Sequence, residues 1–257
     1  MQISKRFLVK LMYLGFRYHG VQKQSHFNTI QAQFEKALEN VLKGNAFKTR
    51  FSSRTDALVS SLESYALVMC EKEMSLEDLT LGLGKLPADI KIIDIKNVSD
   101  KFSLQENILS KTYHYSFSCG DEVMHPFVAP HMAHYREKLD ITLMEKGAKI
   151  FQGKHNFKNY SHKPRSTWSF EREIITSALE PYQSLSIYAP KEAYIFKVTS
   201  KGFLRGQMRL MMGSLLRLGL HEMSLSDLEH SLKGGDENFV KWLAPSSGLL
   251  LVNTQLK

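Results

Sequence analysis

Arg54 and Asp56 stand two residues apart in the run Ser53-Arg54-Thr55-Asp56-Ala57-Leu58, and they are the first residues whose types and spacing could do chemistry. The run is a short polar turn that carries one carboxylate with an arginine two residues before it. The same residues also make an ordinary capped turn, since Thr and Asp readily bond nearby backbone N–H groups. The run by itself is compatible with both.

Arg205, Arg209 and Gly213 recur every four residues on a helix expected from about residue 204 to 218. They lie beside a core stripe of Met208, Met211, Met212 and Leu215. Glycine inside a helix costs about 1 kcal/mol relative to Ala, so close approach of another backbone or a ligand beside Arg209 would account for Gly213. A solvated arginine face accounts for the spacing equally. Tyr113 shares a strand face with Tyr115 and Phe117, which reads first as an aromatic core stripe.

Between Lys154 and Arg165 the chain mixes cations, aromatics and turn formers, among them His155, Lys158, Tyr160 and Lys163. Lys and Arg meet phosphates while His and Tyr stack on exposed bases, so the run suits RNA, as it also suits a solvated loop. Arg17 and Tyr18 belong to a second aromatic and basic turn, Phe16-Arg17-Tyr18-His19-Gly20. The ten histidines and two cysteines form no motif at metal-ligand spacing. No phosphate loop and no Gly-x-Ser-x-Gly elbow occurs. Neither a metal nor a nucleotide cofactor is expected.

The elements that must position these groups follow from periodicity. Strands are expected over residues 7–13, 65–70, 90–95, 112–117, 184–188, 194–198 and 249–252. Helices are expected over 30–42, with an Asn28/Gln31 capping box and Gly44 as stop, and from Ser75 to Leu86, with Leu76, Leu79 and Leu83 inward. Others run from Asp140 to Phe151, from about 204 to 218, and from Ser224 to near Gly234-Gly235. Residues 120–135 and 154–165 read as loops. Short turns between alternating patterns favour a largely antiparallel sheet with helices on one face, the α+β class.

The 257 residues can bury a substantial core as one domain or two packed lobes. The 34 Lys+Arg against 26 Asp+Glu give +8 and a sequence pI near 9.3, which favours a polyanionic partner. Two isolated cysteines, Cys70 and Cys119, point to a reducing compartment, so a cytoplasmic location is expected. The start lacks a signal-peptide apolar stretch, and no apolar run approaches the roughly 20 residues of a membrane span.

With these pieces assembled, the chain resembles the TruA family of tRNA pseudouridine synthases nearly end to end. The carriers are Tyr13-Leu14-Gly15-Phe16-Arg17-Tyr18-His19-Gly20-Val21-Gln22-Lys23-Gln24, Thr29-Ile30-Gln31 with Phe34 to Leu38, and Arg54-Thr55-Asp56-Ala57. Leu86-Pro87-Ala88-Asp89-Ile90, Lys111 to Tyr115, Gly153 to Phe157, Gly202 to Leu216, and Ala244-Pro245 with Gly248-Leu249 complete the set.

The resemblance implies a pseudouridine synthase fold: two packed α/β lobes, residues 1–105 and 106–257, sharing a mainly antiparallel sheet around a central RNA-binding cleft. It implies that a uridine is extruded, its base detached, rotated and rejoined through carbon, most readily in the anticodon stem-loop of tRNA. Asp56 would be the nucleophile, Arg209 its partner for aim and charge balance, and Tyr113 would pack on the flipped base. Arg54 would occupy the place the base leaves. Arg17, Tyr18, Lys154, His155, Lys158, Lys163, Arg165 and Arg205 would contact RNA. A homodimer without cofactor is implied as well.

The chain departs from the family pattern at Ser53, Leu58 and Ser60, where glycine, glycine and histidine are usual, and at Val21, where tryptophan is usual. Phe102-Ser103-Leu104-Gln105 replaces a Phe-His-Ala-Arg block and removes a basic contact. These flanks favour a non-catalytic RNA-binding relative or a synthase retargeted to another RNA. The retained Asp56, Tyr113 and Arg209 favour an enzyme.

Overall fold

The computed structural model describes residues 5–42, 44–71, 74–165, 167, 169–183, 188–234, 239 and 241–257. In chain order its elements are β1 (Lys5–Tyr13), α1 (Ile30–Leu42), β2 (Phe47–Phe51), β3 (Ser60–Cys70), α2 (Leu76–Leu83), β4 (Ile90–Asn97), α3 (Leu104–Asn107) and β5 (Ile108–Cys119). They continue with β6 (Ala133–Tyr135), α4 (Ile141–Ile150), β7 (Gly153–Asn156), β8 (Glu171–Pro181), β9 (Ala193–Ser200), α5 (Gln207–Gly219), α6 (Leu225–Ser231) and β10 (Leu249–Leu256). The chain divides into two compact units, Met1–Leu109 with Leu251–Lys257, and Ser110–Leu250.

In the first unit the strand order is β4-β1-β3-β10, with β2 also on β3. The β1–β3, β1–β4 and β2–β3 pairs are antiparallel. Alternation along β1 sends Phe7, Val9 and Leu11 inward, where they meet Phe34 and Leu38 of α1 and Leu79 and Leu83 of α2. A smaller cluster of Leu67, Met69 and Leu104 lies apart from that core. Leu104 therefore fills an apolar site where the family block has Ala.

In the second unit the order is β5-β9-β8-β7, antiparallel throughout, with β6 added parallel to β5. Tyr115, Phe117 and Phe196 are fully buried, as are Met144 and Ala148 of α4 and Leu215 and Leu218 of α5. A Cβ on Gly147 would meet Leu218 at 2.3 Å, so a missing side chain lets α4 and α5 pack closely. The mixed, mainly antiparallel architecture is the expected α+β class.

Several local expectations need correction. Helix α1 is capped by Thr29, whose hydroxyl accepts the Ala32 N–H at 3.2 Å, while the Asn28 amide oxygen accepts from Gln33 instead. Leu76 is exposed, because as first residue of α2 it stands before the buried stripe begins. Residues 120–135 include β6 and residues 154–165 include part of β7, so neither is all loop. Strands β2 and β8 have no counterpart in the sequence reading. Of the strand expected over 184–188, residues 184–187 lie outside the described residues, as does Gly235 at the expected end of the last helix.

Candidate active site

The Asp56 turn is built by the segment that precedes α1. Tyr13 Oη and Thr55 Oγ1 are hydrogen-bonded at 3.1 Å, Val21 N–H donates to the Thr55 carbonyl at 3.3 Å, and Leu58 N–H donates to the Tyr18 carbonyl at 3.0 Å. Gly15 N–H donates to Ser60 Oγ at 2.9 Å, so a serine at the family's histidine position ties the two segments together. A Cβ on Gly15 would fall 2.0 Å from the Val59 carbonyl oxygen, and one on Gly20 (φ +88°) 2.5 Å from the Thr55 oxygen. Only glycine lets the two backbones lie this close.

Asp56 itself is half-buried and Arg54 is exposed. The Asp56 carbonyl accepts from Val59 N–H at 3.3 Å, closing a turn whose third residue, Leu58, has φ +68°. A turn with positive φ at that position normally takes Gly or Asn. In a leucine the left-handed conformation costs about 1–2 kcal/mol. The neighbouring Ser53 is buried, and its Oγ meets no hydrogen-bond partner.

Tyr18 turns into the protein, whereas Arg17 stays exposed while it pairs with Asp89. Arg17 Nε and Nη2 donate to Asp89 Oδ2 at 2.8 and 2.6 Å, and Tyr18 Oη donates to Asp89 Oδ1 at 2.7 Å. The Tyr18 residue is only 3% exposed and belongs to the core, so its ring is not presented for stacking on a base. Its phenol is pushed up to about 12, by burial first and then by the Asp89 carboxylate. Partial burial raises the Asp89 carboxyl, but hydrogen bonds from Tyr18 and Arg17 prevail and hold it below the usual carboxylate value. Asp89, which the sequence offers only within the Leu86-to-Ile90 motif, thus ties down the Phe16-to-Gly20 segment, and its carbonyl also accepts from Leu14 N–H at 2.9 Å. The excess of hydrogen-bonding groups in Phe16-Arg17-Tyr18-His19-Gly20 was its one sequence signal.

The second unit positions the other candidates. Tyr113 on β5 is mostly buried, with Phe203 edge-on at 5.0 Å between ring centroids. Arg209 on α5 is half-buried, and its Nε donates to the Ala244 carbonyl at 2.7 Å while Ala244 N–H returns a bond to the Arg209 carbonyl at 3.2 Å. A Cβ on Gly213 would lie 1.8 Å from the Trp242 carbonyl oxygen, so the segment around Trp242 to Ala244 is the backbone whose approach the helical glycine permits. That segment is fixed further by Tyr115 Oη, which donates to the Pro245 carbonyl at 2.8 Å and lies 3.2 Å from Tyr135 Oη. Burial raises both phenols, Tyr135 to about 12, against the lowering pull of the Arg209 charge.

Arg205 is exposed but precedes α5, so it does not continue the arginine face of that helix; Gly206, at φ +70°, breaks the run. The Arg205 carbonyl accepts from His162 N–H at 2.8 Å, bringing Arg205 beside the run that holds Lys158, Lys163 and Arg165, all exposed. Lys154 is exposed on β7, and His155 is half-buried with Nε2 3.0 Å from the Gln152 carbonyl. Lys241, absent from the sequence reading, donates to the Ser161 carbonyl at 3.0 Å. Its ammonium is pulled down by burial and then by the Lys158 charge. Among the described residues, no group of three or more His, Cys, Asp and Glu is arranged to hold a metal ion.

Exposed cations at Lys154, Lys158, Lys163, Arg165 and Arg205 suit a polyanionic partner, and Asp56 on a locked turn suits nucleophilic chemistry, a combination open to many functions. Comparison with known proteins narrows it. A family model described as tRNA pseudouridine synthase matches residues 148–255. The tRNA pseudouridine synthase A of Thermodesulfovibrio yellowstonii is 32% identical over 94% of this chain and 95% of its own length. That of Streptococcus mutans is 28% identical over 96% of each chain, and the tRNA pseudouridine synthase A 2 of Bacillus cereus is 28% identical over 95% of this chain and 97% of its own. This chain belongs to the tRNA pseudouridine synthase A family.

Proposed function

We propose that the chain converts uridine to pseudouridine in tRNA, in the anticodon stem-loop, with Asp56 as the nucleophile. The observation that carries this reading is the intact Arg54-Thr55-Asp56-Ala57 turn, held rigidly by the 13–21 segment, in a chain 32% identical to a tRNA pseudouridine synthase A over almost its whole length. Positioning of this kind is what makes a carboxylate an effective attacking group.

In the reaction the C1′–N1 glycosidic bond breaks, the detached base rotates, and a C1′–C5 bond forms. The C5 proton is lost and N1 gains one, so atoms balance without an external reactant. Reaching a stacked base requires its extrusion, at a cost of a few kcal/mol. Arg54, exposed beside the turn, would fill the gap left in the stack, and Tyr113 would pack on the extruded base. Arg209, held by the Ala244 carbonyl through Nε, would set the aim and charge balance of Asp56.

Lys154, Lys158, Lys163, Arg165 and Arg205 would meet phosphates, and His155 would add a ring at their edge. Arg17, exposed beside Asp89, would add a further phosphate contact, whereas the buried Tyr18 supports the turn through Asp89 instead. A cytoplasmic location and a homodimer accompany the reading; among the described residues no helix is long and apolar enough to cross a membrane. Sedimentation of the purified protein checks the dimer. Incubation with tRNA tritiated at uridine C5 tests the reaction, with tritium release expected and its absence from every tRNA pool overturning the proposal.

A further inference from the structure

Four described non-glycine residues have a left-handed φ: His26, Leu58, Lys163 and His221. Of these only Leu58 carries a purely aliphatic side chain, the kind least suited to that region because it can make no compensating local hydrogen bond. Core packing does not explain it either. Leu58 is 39% exposed and lies outside the buried cluster of its own unit. The backbone bond from its N–H to the Tyr18 carbonyl would be made as well by Gly or Asn, without strain. The turn thus keeps a partly exposed apolar side chain at a strained backbone position outside the core cluster.

Its place supplies the reason. Successive Cα atoms are about 3.8 Å apart, so Leu58 Cα lies within roughly 7.6 Å of Asp56 Cα. Extruding a nucleotide at Asp56 strips the neighbouring bases of a stacking partner, and apolar side chains are a recurring means of covering an unstacked base. We propose that Leu58 is a specificity-determining residue whose side chain covers the base flanking the reacting uridine and favours a purine there. A purine presents the larger face to an aliphatic wedge, and more apolar area is removed from water. The inference rests on the reading of Asp56 as the reacting carboxylate.

The test uses full-length tRNA transcripts tritiated at uridine C5, in which the uridine that the parent protein modifies is flanked by purines or by cytidines. The parent is expected to favour the purine-flanked transcripts by about fivefold or more in kcat/KM, the scale of one apolar contact. Leu58→Gly and Leu58→Asn should lose that preference and melt at the parent temperature or above, while Leu58→Met keeps the preference. The proposal is overturned if the parent shows no preference, if the Gly variant retains it, or if the Gly variant melts lower, since the side chain would then serve the fold. A parent that modifies no tRNA overturns the proposed function and this inference together. An active parent with an unchanged preference in the variants overturns this inference alone.

Discussion

The Asp56 turn and the Arg209 helix hold their candidate side chains by different means. The turn is fixed mainly by backbone around Asp56: Thr55 and Leu58 bond to Val21 and Tyr18, glycines at 15 and 20 bring the two segments into contact, and the Thr55 and Ser60 hydroxyls add bonds to Tyr13 and Gly15. Arg209 is fixed by its own side chain, which donates to Ala244 across a notch opened by Gly213. A backbone-held group keeps its place when the side chain is changed, whereas a side-chain-held group takes its bond with it. The turn should therefore tolerate replacement of Asp56 structurally, and the helix should not tolerate replacement of Arg209 as easily.

The largest expected effect follows directly. Asp56→Asn should abolish turnover, by more than about a thousandfold, while leaving tRNA affinity and melting temperature nearly unchanged. Tritium release and filter binding measure both, and turnover at the parent rate would remove Asp56 from its proposed role. Next come the glycines. Gly213→Ala and Gly15→Ala each drive a Cβ into a carbonyl oxygen, and each should cost about 1–3 kcal/mol in denaturant unfolding. Gly15→Ala should also reduce turnover, because Val59, which it displaces, closes the Asp56 turn; equal turnover in the variant and parent would show that the turn is not held as described.

A smaller effect belongs to Asp89→Asn. Loss of the charge-assisted bond from Tyr18 should cost about 1–2 kcal/mol at neutral pH. The folded Asp89 carboxyl is held below its ordinary value, so its contribution is complete above the unfolded pKa of about 3.9 and is lost as pH falls through the folded one. The stability gap between parent and variant should be constant from neutral pH to about 5 and close below about 4 in urea titrations. A gap that persists in acid would exclude the carboxylate as its source. Smallest is Ser53→Ala, which removes a buried hydroxyl without a partner and should raise stability by up to about 1 kcal/mol. A loss instead would mean that the hydroxyl is satisfied in solution.

Alternation made β1 and β5 legible, because it sorts apolar from polar side chains along a fixed period, and capping residues made α2 and α6 legible, because they mark where a helix begins. Strand β8 escaped because only Ile174, Ser177 and Leu179 of its eleven residues are buried, so its period is diluted by Glu, Arg and Thr. Strand β7 is a short polar end strand that exists through its pairing with β8. The approach beside Gly213 was expected from the glycine, but nothing local named Trp242 as the neighbour.

The amino-acid sequence by itself determined the class of the fold, the family motifs, and the identity of Arg54, Asp56, Tyr113 and Arg209 as candidates, since these depend on residue type, order and period. Tertiary structure alone decided that Tyr18 is a core residue bonded to Asp89, that Arg205 stands outside α5, and that Leu58 adopts a left-handed backbone. Each of those depends on a partner distant in the chain, or on a dihedral angle that such a partner imposes. Local pattern carries no record of either.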